Sequence, residues 1–177
     1  FLDYGGGYGL FVRLMRDCGF DFYRHDNYCH NIFAKNLDAN ISGKSKYELI
    51  TAIEVFEHFI NPSRELENIL GLSRNILFAT QCVPNDYPKP NEWWYYGLMH
   101  GQHVSLYTIK SLKLLAKNCG LNFYSNGTDV HLITDKRLPK FLFKLLSNHR
   151  IAHIISPFIR RKSYLQKDSD DANIIYS

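Results

Sequence analysis

Two carboxylates and an imidazole stand close together in the chain, at Glu54, Glu57 and His58. If a helical turn begins at Glu54, these side chains fall at positions i, i+3 and i+4 and share one face. Such a group can bind a divalent metal ion or hold a proton-transfer group. We favour the plainer interpretation, in which Glu54 lines a ligand pocket while Glu57 and His58 make structural hydrogen bonds.

A glycine-rich loop at residues 5–9 follows a short apolar opening and an acid, Asp3. Glycines between a strand and a helix permit a tight turn and a close approach of the backbone to a ligand. A dinucleotide-binding loop would need a glycine where Leu10 stands, and Asp3 is unfavourable beside a pyrophosphate but favourable beside a cation. A second acid, Asp26, lies at a predicted strand end, where a carboxylate accepts hydrogen bonds from both ribose hydroxyls.

A long aromatic segment at residues 81–106 holds both tryptophans and three of the six prolines. A segment of this length without a regular pattern is usually functional, and this one is too aromatic to be disordered. We predict that Trp94, Tyr95 and His100 contact the substrate. His103 is the predicted catalytic base, with His58 as the alternative. The plainer interpretation is a hydrophobic plug packed on the sheet.

Alternating strand and helix patterns position these residues. Strands are predicted at 1–4, 20–25, 47–53, 75–80, 121–125 and 130–134, with a weaker one near 37–41. Helices are predicted at 10–18, 29–36, 62–72 and 108–118, the third capped by Asn61 and Pro62. This order predicts an α/β fold: a Rossmann-like, doubly wound, mostly parallel sheet with an antiparallel last strand, plus a C-terminal helical extension.

The segments LDYGGGYG, YELITAIEVFEH and HGQHVSLYT, with Asp26 between the first two, resemble class I S-adenosylmethionine-dependent methyltransferases, above all the UbiE/Coq5-like and type-23 group. The resemblance covers roughly residues 1–135 and implies S-adenosylmethionine as cofactor. The resemblance also implies which residues contact each part of the cofactor. These are Asp3, Gly5, Gly6 and Gly7 at the methionine end, Asp26, Asn27 and Asp38 at the adenosine, and Glu54 at the sulfonium. Helices usually precede the first strand in this family, so we expect further residues before Phe1.

Three alternatives stay open. The EVFEH segment together with His103 resembles the metal set of RNA 3′-terminal 2′-O-methyltransferases, but similar segments occur in related enzymes without metal, and we predict no metal site. A nucleotide-dependent dehydrogenase is disfavoured by Leu10 and Asp3. A cofactor-binding module without catalysis would keep the same acids. We favour methyl transfer to a small molecule, with a sugar or glycan intermediate suggested by analogy.

Net charge divides the chain into two parts. Residues 1–135 carry 12 basic and 14 acidic side chains, a net charge of −2, whereas residues 136–177 carry 9 basic and 3 acidic ones, a net charge of +6. We predict a methyltransferase domain over 1–135 and a basic helical extension over 136–177. The extension leaves open self-association or contact with a membrane surface through its apolar faces and residues 160–162, and nucleic acid is not an expected partner.

The remaining composition favours a cytoplasmic globular protein. Hydrophobic residues make up 45% and charged residues 21% of the chain, which excludes a fibrous or disordered class. The four cysteines are well separated and form no CxxC pair, so we expect reduced thiols. We also expect neither a membrane-spanning segment nor a signal peptide, because no long apolar run and no basic-then-apolar opening occur.

Overall fold

The elements of the chain are taken from a computed structural model that describes residues 1–41, 46–159, 161–164 and 167–168. The strands are β1 (Leu2–Tyr4), β2 (Tyr23–His25), β3 (Ile50–Ile53), β4 (Asn75–Ala79), β5 (Asn122–Ser125) and β6 (Val130–Thr134). The helices are α1 (Leu10–Asp17), α2 (Pro62–Leu70), α3 (Ile109–Asn118), α4 (Lys140–Leu146) and α5 (His149–Ile155). Three 3₁₀ turns lie at Phe56–His58, Trp94–Tyr96 and Ser156–Ile159.

The strands form one sheet in the order β2-β1-β3-β4-β6-β5. Strands β1 to β4 pair in parallel, and β6 pairs antiparallel with both β4 and β5. The predicted Rossmann-like fold with an antiparallel last strand is therefore confirmed. Because β1 lies between β2 and β3, the segments after these three strands meet at the carboxyl edge, where open α/β sheets bind ligands.

Two apolar clusters hold the helices against this sheet. Leu66 and Ile69 of α2 pack with Leu112 and Ala116 of α3 in the larger cluster, together with strand residues such as Ile76. The smaller cluster is built on Val12, Phe22 and Ala34 and fixes α1 behind the glycine loop. Complete burial of the larger of these side chains, Val12 and Phe22 among them, stabilises the fold by about 1.5–3 kcal/mol each.

The short helix predicted at 29–36 is wrong, because this stretch forms bends and turns. Two side chains compete with a helix for its backbone N–H groups: Asp26 Oδ1 accepts from Cys29 N at 2.8 Å, and Asn31 Oδ1 accepts from Ala34 N at 2.9 Å. The weak strand expected near 37–41 is reduced to an isolated bridge between Arg24 and Asp38.

The helix caps follow the sequence more closely. Asn61 Oδ1 accepts from Arg64 N at 3.2 Å at the start of α2, as predicted. Thr108 lies outside α3 as its cap, and its Oγ1 accepts from Ser111 N at 3.1 Å. The predicted start at residue 108 therefore differs from the helix by one residue.

The C-terminal extension forms α4 and α5 and then returns to the first helix. Arg16 of α1 is 2% exposed and donates Nε and Nη2 to Asp168 at 2.8 and 2.7 Å. Arg160, part of the predicted basic run, lies outside the described residues. In the described part of the chain, no helix has both the length and the apolar character needed to cross a membrane.

We expect Asp168→Asn to lower the free energy of unfolding by about 2–3 kcal/mol, because it removes half of the charge that neutralises a buried guanidinium. Asp21 remains as the second partner of Arg16, at 2.5 Å, which limits the loss. Urea unfolding measures the effect. The control is Asp135→Asn, whose partner Arg74 is half exposed and whose loss has little effect. Equal midpoints for the Asp168 variant and the wild-type chain would contradict the docking of this segment.

Candidate active site

The glycine loop is held by the strand beside it. Gly5 N and Gly6 N both donate to His25 O, at 2.8 and 3.2 Å, and Gly7 N donates to Asp26 Oδ2 at 2.9 Å. A side chain at Gly5 would meet Val55 Cγ2 at 2.7 Å, so this loop packs directly on the segment after β3. Gly7 has φ +52°, and a Cβ there would meet no described atom within 4 Å. The loop therefore leaves an open cradle above Gly7.

Asp26 is the acid that faces this loop. Its Oδ1 accepts from Tyr28 N and Cys29 N, both at 2.8 Å, while Oδ2 accepts from Gly7 N. Burial alone would raise the pKa of Asp26, but these three backbone N–H groups outweigh it and lower the pKa. The carboxylate stays ionised at neutral pH, and Oδ2 retains a lone pair for one ribose hydroxyl. Both hydroxyls were expected there from the sequence, and this geometry favours one.

Arg24 organises the region around Asp26 and was missed by sequence reasoning. It is 3% exposed, and its Nε donates to Gly7 O at 2.6 Å while Nη2 donates to Cys29 O. Its Nη1 donates to Asp38 Oδ1, and Asp38 also accepts from Asn31 Nδ2 at 2.9 Å. The Asp38 carboxylate is thus engaged by protein groups, so its adenine contact stays a prediction. The sequence offered one signal for Arg24: it is a charged residue inside the strand predicted at 20–25.

Asn27, the other residue expected beside the adenosine, is exposed in the bend after β2. It lies next to Asp26 on the side of the sheet edge that β2 contributes. Its cofactor contact stays a prediction, since an exposed amide in a bend is free to face a ligand or solvent.

Asp3 is a buried acid in the middle of β1. It is 3% exposed and accepts from Thr51 Oγ1 at 2.6 Å. Burial raises the pKa of Asp3 to about 6, against the hydrogen bond from Thr51 and the charge of Arg24, which lower it. A Cβ at Gly6 would lie 2.8 Å from Asp3 Oδ2, so the loop backbone rests on this carboxylate. A cation bound at the loop would stabilise the ionised form of Asp3.

Glu54 follows β3 directly and adopts a left-handed backbone conformation with φ +54°. Such a conformation costs a non-glycine residue about 1–3 kcal/mol and is concentrated at functional sites. Partial burial and then the Glu57 carboxylate raise the pKa of Glu54, while the hydrogen bond with Tyr95 and then the charge of His103 lower it. Glu54 therefore belongs to one electrostatic group with Glu57 and His103, at the edge that also carries the glycine loop.

Glu57, His58 and His103 come together around the 3₁₀ turn Phe56–His58, which begins two residues later than the helical turn predicted at Glu54. Each of the three places one ligand atom within 4.8 Å of the others. His58 Nδ1 lies 2.9 Å from Gln102 O, which agrees with the structural hydrogen bond expected of it. The Glu57 carboxylate differs from that interpretation: its backbone carbonyl accepts from Val104 N and Ser105 N, but its side-chain oxygens have no described partner.

The aromatic segment divides into a buried and an exposed part. Tyr95 is completely buried, with its hydroxyl 3.2 Å from Thr80 Oγ1 and its ring 4.5 Å from the ring of His103. A substrate cannot reach the Tyr95 side chain in this conformation. Tyr95 therefore fits the hydrophobic plug packed on the sheet and not the predicted substrate contact. Trp94 is 75% exposed and His100 is exposed, so both are accessible to a ligand.

A comparison with curated protein sequences gave no significant match. A model of the methyltransferase domain family matches residues 1–126, which is most of the chain. The glycine loop, Asp26, the EVFEH segment and His103 all lie within this match.

Solved structures share the fold at low sequence identity. Magnesium protoporphyrin IX methyltransferase from Synechocystis PCC 6803, with bound SAH, has a TM-score of 0.53 at 13% identity, over 75% of this chain and 73% of its own. Human N-acetylserotonin methyltransferase in complex with SAM has a TM-score of 0.51 at 14% identity, over 76% of this chain and 42% of its own.

A third structure is the O-methyltransferase family 2 protein from Planctomyces limnophilus DSM 3776 in complex with apigenin. It has a TM-score of 0.53 at 15% identity, over 75% of this chain and 48% of its own. The chain thus spans less than half the length of this protein and of the human enzyme. The match over residues 1–126 confirms the type-23 methyltransferase group predicted from the motifs, while the UbiE/Coq5-like resemblance stays a prediction; the chain belongs to the methyltransferase domain family, within the class I S-adenosylmethionine-dependent enzymes.

Proposed function

We propose that this chain binds S-adenosylmethionine at the carboxyl edge of β1, β2 and β3 and transfers its methyl group to a hydroxyl oxygen of a small molecule. The observation that carries the proposal is the cradle formed by Gly7 and Asp26, in which an open glycine backbone lies beside an ionised carboxylate. The bound cofactor supplies an electrophilic methyl group on a sulfonium.

The residues around the cradle fit the charges of this cofactor. Asp3 and the backbone of Gly5, Gly6 and Gly7 hold the methionine end, where a buried carboxylate meets an ammonium group. Asp26 accepts a hydrogen bond from the ribose, with Asn27 and Asp38 toward the adenine. Glu54, whose strained backbone directs it from the end of β3, lies toward the sulfonium.

The acceptor hydroxyl is placed against the two histidines. A backbone carbonyl only accepts, so Nδ1 of His58 donates to Gln102 O and Nδ1 of His103 donates to Tyr95 O, at 2.9 and 2.6 Å. In the neutral rings this leaves Nε2 as an acceptor on both. His103 is the proposed base that takes the hydroxyl proton, with His58 beside it at a ring separation of 5.1 Å.

The names of proteins with similar structures support a small molecule as the methyl acceptor. Mitomycin 7-O-methyltransferase MmcR shares the fold with a TM-score of 0.53, and another neighbour is bound to oxaline. Methyl transfer to a small-molecule hydroxyl, such as that of a sugar or a glycan intermediate, follows by analogy. The free thiols of all four cysteines support the cytoplasm as its location.

The test is a transfer assay with labelled S-adenosylmethionine and a panel of hydroxyl compounds that includes sugars and phenols. We expect transfer to at least one hydroxyl, and we expect Trp94→Ala to raise the KM for that acceptor about tenfold through lost aromatic contact. The dissociation constant for S-adenosylhomocysteine stays unchanged in this variant. Tyr87→Ala, an exposed aromatic of the same segment, is the control. Cofactor binding with transfer to nitrogen or carbon acceptors only would overturn the proposal of an oxygen acceptor.

A further inference from the structure

We propose that Glu57, His58 and His103 bind a divalent transition-metal cation. The three residues come from the turn after β3 and from the aromatic segment, and one ligand atom of each lies within 4.8 Å of the others. This spacing allows the three ligand atoms to converge on a single ion.

The first support is the Glu57 side chain. It is 0% exposed, and neither carboxylate oxygen has a hydrogen-bond partner among the described residues. No lysine or arginine in the described part of the chain forms an ion pair with it. The Tyr95 hydroxyl and the Glu54 carboxyl lie beside it, and burial, followed by Glu57, raises the pKa of both groups, but neither group completes a hydrogen bond to a Glu57 oxygen. A buried carboxylate left in this state is strongly unfavourable, and a bound cation compensates it directly.

The second support is the orientation of the two imidazoles. Each ring is fixed through Nδ1 on a backbone carbonyl, Gln102 O for His58 and Tyr95 O for His103. In the neutral ring this hydrogen bond selects the tautomer in which Nε2 is the acceptor, which is the arrangement found for histidines that bind metal ions. The two rings are 5.1 Å apart and nearly perpendicular, at 76°. They do not stack, so both ring edges are available to a common ligand.

The ligand types select the ion. Two imidazoles and one carboxylate suit the first-row ions from Mn²⁺ to Zn²⁺, whereas Mg²⁺ and Ca²⁺ prefer sites made of oxygen. Three protein ligands also leave coordination positions for other groups. The role of the ion rests on the proposed function: an acceptor hydroxyl bound at one of those positions would be acidified by the ion and would lose its proton to water, so that His58 and His103 would act as ligands and water would replace His103 as the proton acceptor.

The experiment is a titration of the metal-free chain with Co²⁺, followed by visible absorption and by calorimetry in the absence of cofactor. We expect one Co²⁺ per chain with ligand-field bands, displacement by Zn²⁺, and no competition from an equal concentration of Mg²⁺. Glu57→Gln and His103→Gln each weaken Co²⁺ binding at least 100-fold. The controls Glu67→Gln and His153→Gln replace the same residue types at exposed positions of α2 and α5 and leave the titration unchanged.

Thermal unfolding supplies a second readout that does not depend on activity. Glu57→Gln raises the unfolding temperature of the metal-free protein, because it removes an uncompensated buried charge. Zn²⁺ raises the unfolding temperature of the wild-type chain and leaves that of the variant unchanged. A purely structural Glu57 would give the opposite result, with the variant less stable under both conditions.

Two outcomes would overturn the metal site: no spectral change with Co²⁺, or equal Co²⁺ affinity in Glu57→Gln and the wild-type chain. S-adenosylhomocysteine binding is measured on the same samples. Cofactor binding without Co²⁺ binding refutes the metal site alone. Co²⁺ binding without cofactor binding supports the metal site and refutes the proposed function.

Discussion

Asp26→Asn weakens the binding of S-adenosylhomocysteine about 100-fold, which is the loss of roughly 3 kcal/mol in charge-assisted hydrogen bonding. The carboxylate is the proposed acceptor for the ribose, and it also holds the glycine loop through Gly7 N and the following bend through Tyr28 N and Cys29 N. An amide has only one accepting oxygen. Its NH₂ group must therefore face at least one backbone N–H that the carboxylate satisfied, so the cradle is distorted as well as uncharged.

Isothermal titration calorimetry measures this effect, with Asp135→Asn as the control. Asp135 is an exposed carboxylate that pairs with Arg74 far along the chain from the cradle. We expect cofactor affinity in the control to match that of the wild-type chain. Unaltered affinity in the Asp26 variant, with the protein folded, would remove Asp26 from the cofactor site.

Asp3→Asn is expected to separate stability from cofactor binding. The pKa of Asp3 is raised by burial to about 6, from an ordinary value of 3.8. The ionised form therefore destabilises the free folded protein at pH 7 by about 3 kcal/mol at most. An Asn side chain keeps an oxygen to accept from Thr51 and carries no charge. The variant is thus more stable at pH 7 and binds S-adenosylmethionine about tenfold more weakly.

The raised pKa of Asp3 determines how the stability of the protein and its affinity for the cofactor change with pH. Between pH 3.8 and about 6 the folded chain holds a proton on Asp3 that the unfolded chain has released. Stability of the free protein therefore falls as pH rises through this window. Affinity for the cationic cofactor changes in the opposite direction, because the cofactor selects the ionised carboxylate: it drops about tenfold from pH 7 to pH 5. Titrations at both pH values measure this change, and an equal drop in Asp3→Asn would contradict the role of Asp3.

Local chemistry explains which elements could be predicted from the sequence. The glycine loop, Asp26 and the Asn61 cap are each marked by residue type and by position relative to a strand or helix end, so the sequence is sufficient to place them. The fold class followed from the alternation of strand and helix patterns. The helix predicted at 29–36 was wrong because its apolar spacing was outweighed by side chains that bind the local backbone.

Contacts between distant parts of the chain could not be predicted. Arg16 binds Asp168, 152 residues away, and no local pattern in either segment indicates this pairing. The buried state of Glu57 and the approach of His103 to it likewise depend on the path of the aromatic segment, which has no regular period. Residue types at 54–58 suggested metal or proton-transfer chemistry. The unpartnered carboxylate, which favours the metal, required the three-dimensional arrangement.

Competition between S-adenosylhomocysteine and NAD for the wild-type chain tests the central claim most directly. Each ligand is titrated calorimetrically into the wild-type chain and into Asp26→Asn. The variant alters the cradle formed by Gly7 and Asp26, which is the proposed cofactor site. We predict one S-adenosylhomocysteine bound per chain, a loss of about 100-fold in the variant, and no heat from NAD. Binding of NAD without binding of S-adenosylhomocysteine would contradict the assignment of this site to methyl transfer.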